Sequence, residues 1–137
     1  MTTAAPTKTL RFTVPGPPVG FYAYGARNIW KLPRAKRERT QAYHQYADKV
    51  RLMARAAGIQ TPLEASKHLP VIINTTAYFA TGVHCDPENV RKGISDALFY
   101  GCSGPGDKYC GGSFPPPLYD KENPRVEVEI EISIVPV

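Results

Sequence analysis

Hydrophobic positions alternate with polar ones in two blocks of the chain, which predicts two strands that each bury one face. The first block is Thr7–Val14, where Leu10, Phe12 and Val14 share a side. The second is Arg125–Val135, whose glutamates fall on the outward side. Its predicted inward positions are Val126, Val128, Ile130, Ile132 and Ile134. A third block, Leu69–Ala80, is apolar almost throughout and predicts a buried strand.

Apolar residues three or four positions apart predict two helices. The first is Lys36–Ala57, which Gly58 is suited to end, and the second is Asp86–Tyr100. After the second helix, Gly101–Asn123 is rich in glycine and proline and is expected to be a loop or an irregular extension. The order strand, helix, strand, helix, strand predicts a single α/β (α+β) domain over residues 1–137. Its small mixed sheet would carry both helices packed on it.

Composition limits the kinds of protein that this chain can be. Its 137 residues are enough for one domain with an ordinary core. No apolar run approaches the about 20 residues of a membrane-spanning helix, and the N-terminus lacks the features of a secretory signal. Three cysteines without a C-x-x-C motif disfavour a disulfide framework. We therefore expect a cytoplasmic protein with no membrane contact.

Charge is unevenly distributed along the chain, whose formal net charge is +5. Residues 24–55 carry nine Lys or Arg against two acids, a balance of +7. Residues 86–131 carry nine acids against five bases, a balance of −4. A basic first half and an acidic second half suit a protein that attracts a polyanion and delivers it to a metal site. The alternative is that the basic stretch is only a solvated helix face.

The start of the second predicted helix concentrates acidic residues. Asp86 is a good N-cap, and Pro87 fits the first helical position, because a missing N–H costs nothing there. At about 100° per residue, Glu88, Lys92 and Asp96 lie along one stripe of the helix. The predicted core face lies on the opposite side and consists of Val90, Ile94, Ala97 and Leu98.

This acidic cluster is suited to holding a divalent metal ion against a phosphate. Hard cations prefer carboxylate oxygens, and Asp86 and Glu88 supply two such ligands. Asp96 lies two turns further on, too far to share an ion with Asp86, so we expect it to cap, form a salt bridge or support the ligands. Asp107, in the glycine-rich segment, is the best candidate for a third ligand. The alternative is that Asp86 and Glu88 only stabilise the helix start.

The same residues resemble the motifs of the RusA family of Holliday junction resolvases. In that family a strand is followed by Asp-x-(Asp/Glu)-Asn, a lysine three residues later, and then Asp-Ala-Leu. This chain has Asp86-Pro87-Glu88-Asn89, then Lys92, then Asp96-Ala97-Leu98, and Asp107 stands eleven residues after Asp96, as in the family. The resemblance extends to the first strand with its Pro-Gly-Pro-Pro, the basic helix and the final strand. Glu88 and Gly106 depart from the aspartates usual at those positions.

The resemblance implies a Mg²⁺-dependent endodeoxyribonuclease, with Mn²⁺ as a substitute ion, that resolves four-way DNA junctions as a homodimer. It also implies a bacterial or phage origin. Asp86, Glu88 and Asp107 would be the metal ligands, and Lys92 would face the scissile phosphate, so these four are the expected catalytic residues. The residues expected to bind DNA are Arg27, Lys31, Arg34, Lys36, Arg37 and Lys92.

Two other functions stay open at this point. The first is a branched-DNA-binding module of the same fold with weakened or lost catalysis, which the departures at Glu88 and Gly106 favour. The second is a metal-dependent nuclease of this fold that acts on flaps or replication forks.

Some further residues carry weaker signals. The three cysteines and His84 match no common zinc motif, so we expect thiols without metal and a solvent-exposed loop histidine. Tyr22, Tyr24 and Trp30 lie among basic residues. They either stack on unpaired bases or pack their loop onto the sheet.

Overall fold

The computed structural model describes residues 7–22, 31–102 and 106–133, with only the backbone of residues 106 and 107. In these ranges the chain forms helices α1 (Arg34–Ala56) and α2 (Pro87–Phe99). The strands are β1 (Thr7–Pro15), β2 (Val71–Phe79), β3 (Cys110–Gly111), β4 (Leu118–Tyr119) and β5 (Arg125–Ser133). A 3₁₀ helix, Gly106–Tyr109, precedes β3. The predicted fold class, a single α/β (α+β) domain with a small mixed sheet and two helices, is confirmed.

The centre of the sheet is β5, which lies between β1 and β2 and pairs antiparallel with both. The short strands β3 and β4 both pair with β2 and run parallel to it. The register aligns apolar side chains across the three long strands, so that Val14, Val126 and Ala77 are partners, and all three are buried. This alignment produces one continuous apolar face on the sheet.

Both helices pack on that apolar face. Helix α1 contacts β1 and α2, and α2 contacts β2. The opposite face of the sheet is polar, and there Arg11 donates a 3.0 Å hydrogen bond to Glu129 of the neighbouring strand. Although α1 has 23 residues, no helix in the described part of the chain is long and apolar enough to cross a membrane.

The predicted helix and strand boundaries agree with the structure to within two residues wherever the structure describes them. Helix α1 ends as expected, because Gly58 takes a left-handed conformation with φ +85° just after the C-cap Ala57. The last strand is described only to Ser133. Ile134, predicted to point inward, lies outside the described residues.

The segment 101–123, expected to be a loop or an irregular extension, also contributes the 3₁₀ helix, β3 and β4, which the sequence did not predict. Gly112 explains how the segment approaches the edge of β2 so closely. Its φ is +148°, and a Cβ built on it would lie 1.8 Å from the carbonyl oxygen of Ile73. Ser113 then bonds back to β2, with its N–H donating to the Asn74 side chain at 2.9 Å and its carbonyl accepting from Thr75 N–H.

We expect Gly112→Ala to destabilise the protein by more than about 2 kcal/mol, because the added methyl group meets backbone and the φ value is strained for alanine. The measurement is the free energy of unfolding from urea denaturation. Gly111→Ala is the matched control, since a Cβ at Gly111 meets nothing within 4 Å. Equal stability of the two variants would contradict this account of the β2 edge.

Candidate active site

The acidic cluster lies where α2 begins, just beyond the end of β2. Asp86 is the N-cap residue, with φ −70° and ψ 142°, and Pro87 opens the helix. The Asp86 carbonyl accepts the first helical hydrogen bond, from Val90 N–H at 3.1 Å. Its carboxylate makes no capping hydrogen bond. The N-cap position predicted for Asp86 is therefore confirmed, and its charged group is left exposed.

The predicted stripe on α2 is also present. Glu88, Lys92 and Asp96 are exposed. The side chains on the opposite face are buried, as expected for Val90, Ile94, Ala97 and Leu98. Within the described residues, neither Asp86 nor Glu88 has an ion pair or a hydrogen bond through its carboxylate. Within the described part of the chain, two carboxylates without a partner thus lie at the start of α2, one on the N-cap residue and one in the first turn, and Lys92 lies one turn beyond Glu88.

Lys92 is held in place by an aromatic ring that the sequence did not reveal. Its Nζ lies 4.4 Å from the centroid of the Phe21 ring, a cation–π distance. Phe21 is fixed in turn, since its N–H donates to the Asn89 carbonyl at 2.9 Å and its ring meets Tyr43 edge-on at 5.6 Å. Gly93 permits this crossing, because a Cβ there would lie 3.3 Å from the Phe21 nitrogen. The one sign of this close approach in the sequence is Gly93 itself, a glycine inside a helix.

Asp96 serves the packing of the two helices. Its Oδ2 accepts a 2.9 Å hydrogen bond from the Tyr43 hydroxyl of α1. Burial raises the pKa of Tyr43, and the bond to Asp96 raises it further, so the hydroxyl stays protonated and donates. Asp96 therefore has a partner on α1, and its place outside the metal ligands stays a prediction.

Asp107 lies on the 3₁₀ helix that packs beside α2, and its side chain is not among those described. The next strand places this part of the chain against the middle of the helix. The Cys110 Sγ is 3.8 Å from the Ser95 Oγ and 4.0 Å from the Arg91 guanidinium. Of the three predicted carboxylate ligands, the structure therefore describes the side chains of Asp86 and Glu88.

The donor chemistry of the described carboxylates fits a hard cation such as Mg²⁺. Mg²⁺ is usually held by one or two carboxylates and keeps several water ligands, so exposed and unpaired oxygens suit it. Among the described side chains, no group of three or more His, Cys, Asp or Glu is placed to hold a metal ion. Asp107 is not among those side chains, so Asp86 and Glu88 are the ligands that the described residues offer.

The basic segment divides into two parts with different surroundings. In the second part the cations serve the fold. Lys49 bonds to the Pro15 carbonyl, Arg51 to the Ala97 carbonyl, and Arg55 to the Thr61 hydroxyl. These three residues account for part of the +7 balance. Composition alone could not distinguish them from the basic residues at the start of α1.

The first part is a basic surface at the start of α1. Lys31, Arg34 and Lys36 are exposed there, Arg37 is half-buried, and the first turn of the helix carries no acid. Arg34 pairs with Glu38 at 2.9 Å, with both side chains largely in solvent. Arg27, which was also expected to bind DNA, lies outside the described residues, as do Tyr24 and Trp30.

Arg39 connects this basic surface to the start of α2. Its guanidinium lies 4.2 Å above the Tyr22 ring, so Tyr22 packs against α1, whereas the packing alternative placed it against the sheet. Burial raises the pKa of the Cys85 thiol, and the nearby Arg39 charge opposes that rise. Arg39 therefore lies close enough to act on Cys85, the residue next to Asp86.

His84 is not the solvent-exposed loop histidine that we expected. It is half-buried, and its ring stacks on Phe79 with centroids 3.7 Å apart and planes 10° apart. Its Nδ1 lies 2.7 Å from the Cys85 carbonyl oxygen, and its Nε2 lies 2.9 Å from the Tyr119 hydroxyl. The expectation failed because the burial of His84 depends on β4, which the sequence did not predict. Strand β4 places Tyr119 beside the end of β2.

Comparison with protein-family models and with curated proteins finds no match to this sequence.

Proposed function

We propose that this protein is a Mg²⁺-dependent, RusA-like endodeoxyribonuclease that cuts four-way DNA junctions. The observation that carries the proposal is the Asp86 carboxylate. An aspartate at an N-cap normally accepts a hydrogen bond from the amides of the first turn. Here the Asp86 carboxylate does not make that bond. The Glu88 carboxylate, two residues further along the chain, also has no partner within the described residues. Two anionic groups that have no partner among the described residues are what a cation site requires.

The residues of the site would have distinct roles. Asp86 and Glu88 would hold the ion, with Asp107 as the third ligand. A bound divalent cation supplies a positive charge that lowers the pKa of a water and neutralises the phosphate. Lys92 would offset the charge that develops on the phosphate in the transition state. Phe21 would keep the Lys92 ammonium on the exposed side of α2.

The start of α1 supports DNA as the substrate. Cations near a helix N-terminus are unfavourable, each by a few tenths of a kcal/mol or more, because the helix dipole is positive there. This chain nevertheless places Arg34, Lys36 and Arg37 in the first turn and no acid. Such an arrangement gives up helix stability, and a phosphate backbone bound at this surface would offset that loss.

A homodimer follows from the proposed reaction. Resolving a four-way junction requires two symmetrically placed cuts, so two active sites must be related by a twofold axis. A single domain with one acidic cluster supplies one cut. We therefore propose a C2 dimer as the active form, which size-exclusion chromatography with light scattering would test.

The test of the proposal is a cleavage assay with wild-type protein on a four-way junction, a fork, a flap and a linear duplex of matched sequence. We expect cleavage of the junction in Mg²⁺ or Mn²⁺ and none in EDTA. Preference for the fork or flap would indicate the alternative nuclease. Tight junction binding without cleavage in either ion would indicate a binding module instead and would contradict the proposal.

We expect Phe21→Leu to lower kcat for junction cleavage by about threefold with little change in KM, because leucine fills the space but does not attract the Lys92 ammonium. Phe114→Leu, at an exposed phenylalanine elsewhere, is the control. An unchanged kcat in Phe21→Leu would mean that the ring does not position Lys92.

A further inference from the structure

Residues 79, 84 and 119 form a cluster of three aromatic rings beside the start of α2, and sequence reasoning assigned it no function. His84 stacks on Phe79, and the Tyr119 ring lies 5.5 Å from the imidazole. The cluster is anchored in the sheet, because Phe79 and Tyr119 are paired across β2 and β4. The Asp120 N–H also donates to the Phe79 carbonyl at 3.0 Å. The imidazole is therefore held from two sides by regular structure.

The hydrogen bonds of His84 define what the imidazole does. The Cys85 carbonyl can only accept, so Nδ1 carries the hydrogen and donates to it at 2.7 Å. In the neutral ring Nε2 is then an acceptor, and the Tyr119 hydroxyl donates to it at 2.9 Å. The chain Tyr119–His84–Cys85 carbonyl thus ends on the peptide group that joins Cys85 to Asp86.

That peptide group fixes the backbone from which the Asp86 side chain extends. Among the described residues the carboxylate has no partner of its own, so no side-chain contact orients it. The backbone at Cys85 and Asp86 sets the direction of the Cα–Cβ bond that carries the carboxylate. On the other side Cys85 packs against Gly20, where a Cβ would lie 3.1 Å from the Sγ. Cys85 is consequently restrained twice, through its carbonyl by the imidazole and through its side chain by the segment at Gly20.

We propose that His84 and Tyr119 are positioning residues that hold Asp86 in the orientation needed to bind the divalent cation. The inference rests on the proposed function, since it assigns these residues to the same site. A carboxylate carried on a fixed backbone loses less conformational freedom when it binds an ion, so these two residues should increase metal affinity and the rate of cleavage at a given metal concentration. It should not affect DNA affinity, because neither side chain belongs to the basic surface.

The test compares four variants with the wild type. Tyr119→Phe removes one hydroxyl and keeps the ring, and Tyr100→Phe, at an exposed tyrosine whose ring lies near Arg51, is its control. His84→Phe keeps an aromatic ring to stack on Phe79 but removes both hydrogen bonds. His84→Asn restores a donor near the position of Nδ1. Mn²⁺ affinity is measured on protein alone by the loss of the free-ion EPR signal.

We expect the Mn²⁺ dissociation constant to rise about threefold in Tyr119→Phe and about tenfold in His84→Phe, as expected for losing one or two neutral hydrogen bonds. His84→Asn should recover part of the loss, and Tyr100→Phe should match the wild type. KM for the junction should stay constant while the metal concentration for half-maximal cleavage rises. In metal-free protein, hydrogen exchange at the Asp86 amide should be faster in His84→Phe.

Wild-type Mn²⁺ affinity in both Tyr119→Phe and His84→Phe, with wild-type cleavage, would overturn the inference and leave the proposed function standing. If the wild type neither binds Mn²⁺ nor cuts junctions, both are overturned. Should His84→Phe fail to fold, Tyr119→Phe decides the matter alone, because it deletes only one hydroxyl from a residue that is 57% exposed.

Discussion

Replacing Asp86 with asparagine is expected to lower junction cleavage by about 1000-fold or more, because it removes a negatively charged metal ligand. The fold should survive, since the Asp86 carboxylate makes no capping bond that asparagine would lose. Junction binding should be unchanged or tighter, because one source of repulsion with the phosphates disappears. The measurements are single-turnover cleavage in Mg²⁺ and binding in EDTA. Asp107→Asn is expected to behave in the same way.

Asp96→Asn is the matched control for this experiment, because it makes the same chemical change on the same helix. The asparagine carbonyl oxygen can still accept the bond from the Tyr43 hydroxyl, so packing between α1 and α2 is retained. We expect a loss of no more than about tenfold, as for residues that support metal ligands indirectly. Equal losses in Asp86→Asn and Asp96→Asn, at unchanged stability, would refute the assignment of Asp86 as the ligand.

The sequence predicted those elements in which hydrophobic and polar residues alternate with a regular spacing. Strand β5 alternates valine or isoleucine with glutamate, and helix α2 separates its buried and charged faces, so both were located to within two residues. Strands β3 and β4 have two residues each, which is too short to show any alternation of hydrophobic and polar residues. They exist because Gly112 allows the chain to approach β2, a tertiary contact that no local pattern encodes.

The candidate site was predictable only in part for the same reason. Asp86, Glu88 and Lys92 are close in sequence and share one helix, so spacing was enough to bring them together. Phe21 reaches Lys92 from a separate segment, and Tyr119 reaches His84 across 35 positions. Such contacts depend on the packing of the whole domain. Composition likewise could not separate the cations that stabilise the fold from those that remain at the surface.

The basic surface at the start of α1 yields the second large expected effect. If it follows the phosphate backbone, the logarithm of the DNA association constant should fall with the logarithm of salt concentration, with a slope of about −0.9 per phosphate neutralised. Lys31 and Arg34 are exposed, and Arg37 lies in the same first turn of the helix. Lys49, Arg51 and Arg55 are left unchanged, because their bonds to other parts of the fold would be lost with their charges.

We expect the triple replacement of Lys31, Arg34 and Arg37 by glutamine to weaken binding of all DNA substrates alike, by about 10- to 100-fold at low salt, and to reduce the salt slope by up to about 2.7. Preference for junctions should survive, because phosphate contacts position a duplex without reading its shape at the branch. The control is Lys8, Lys67 and Lys121 changed together to glutamine, since these exposed lysines lie outside the basic segment and the net charge falls equally. If both triple variants lose the same affinity and the same slope, net charge alone attracts DNA and the start of α1 is only a solvated face. The DNA path would then have to be sought around Lys92 and the segment that leads to β4.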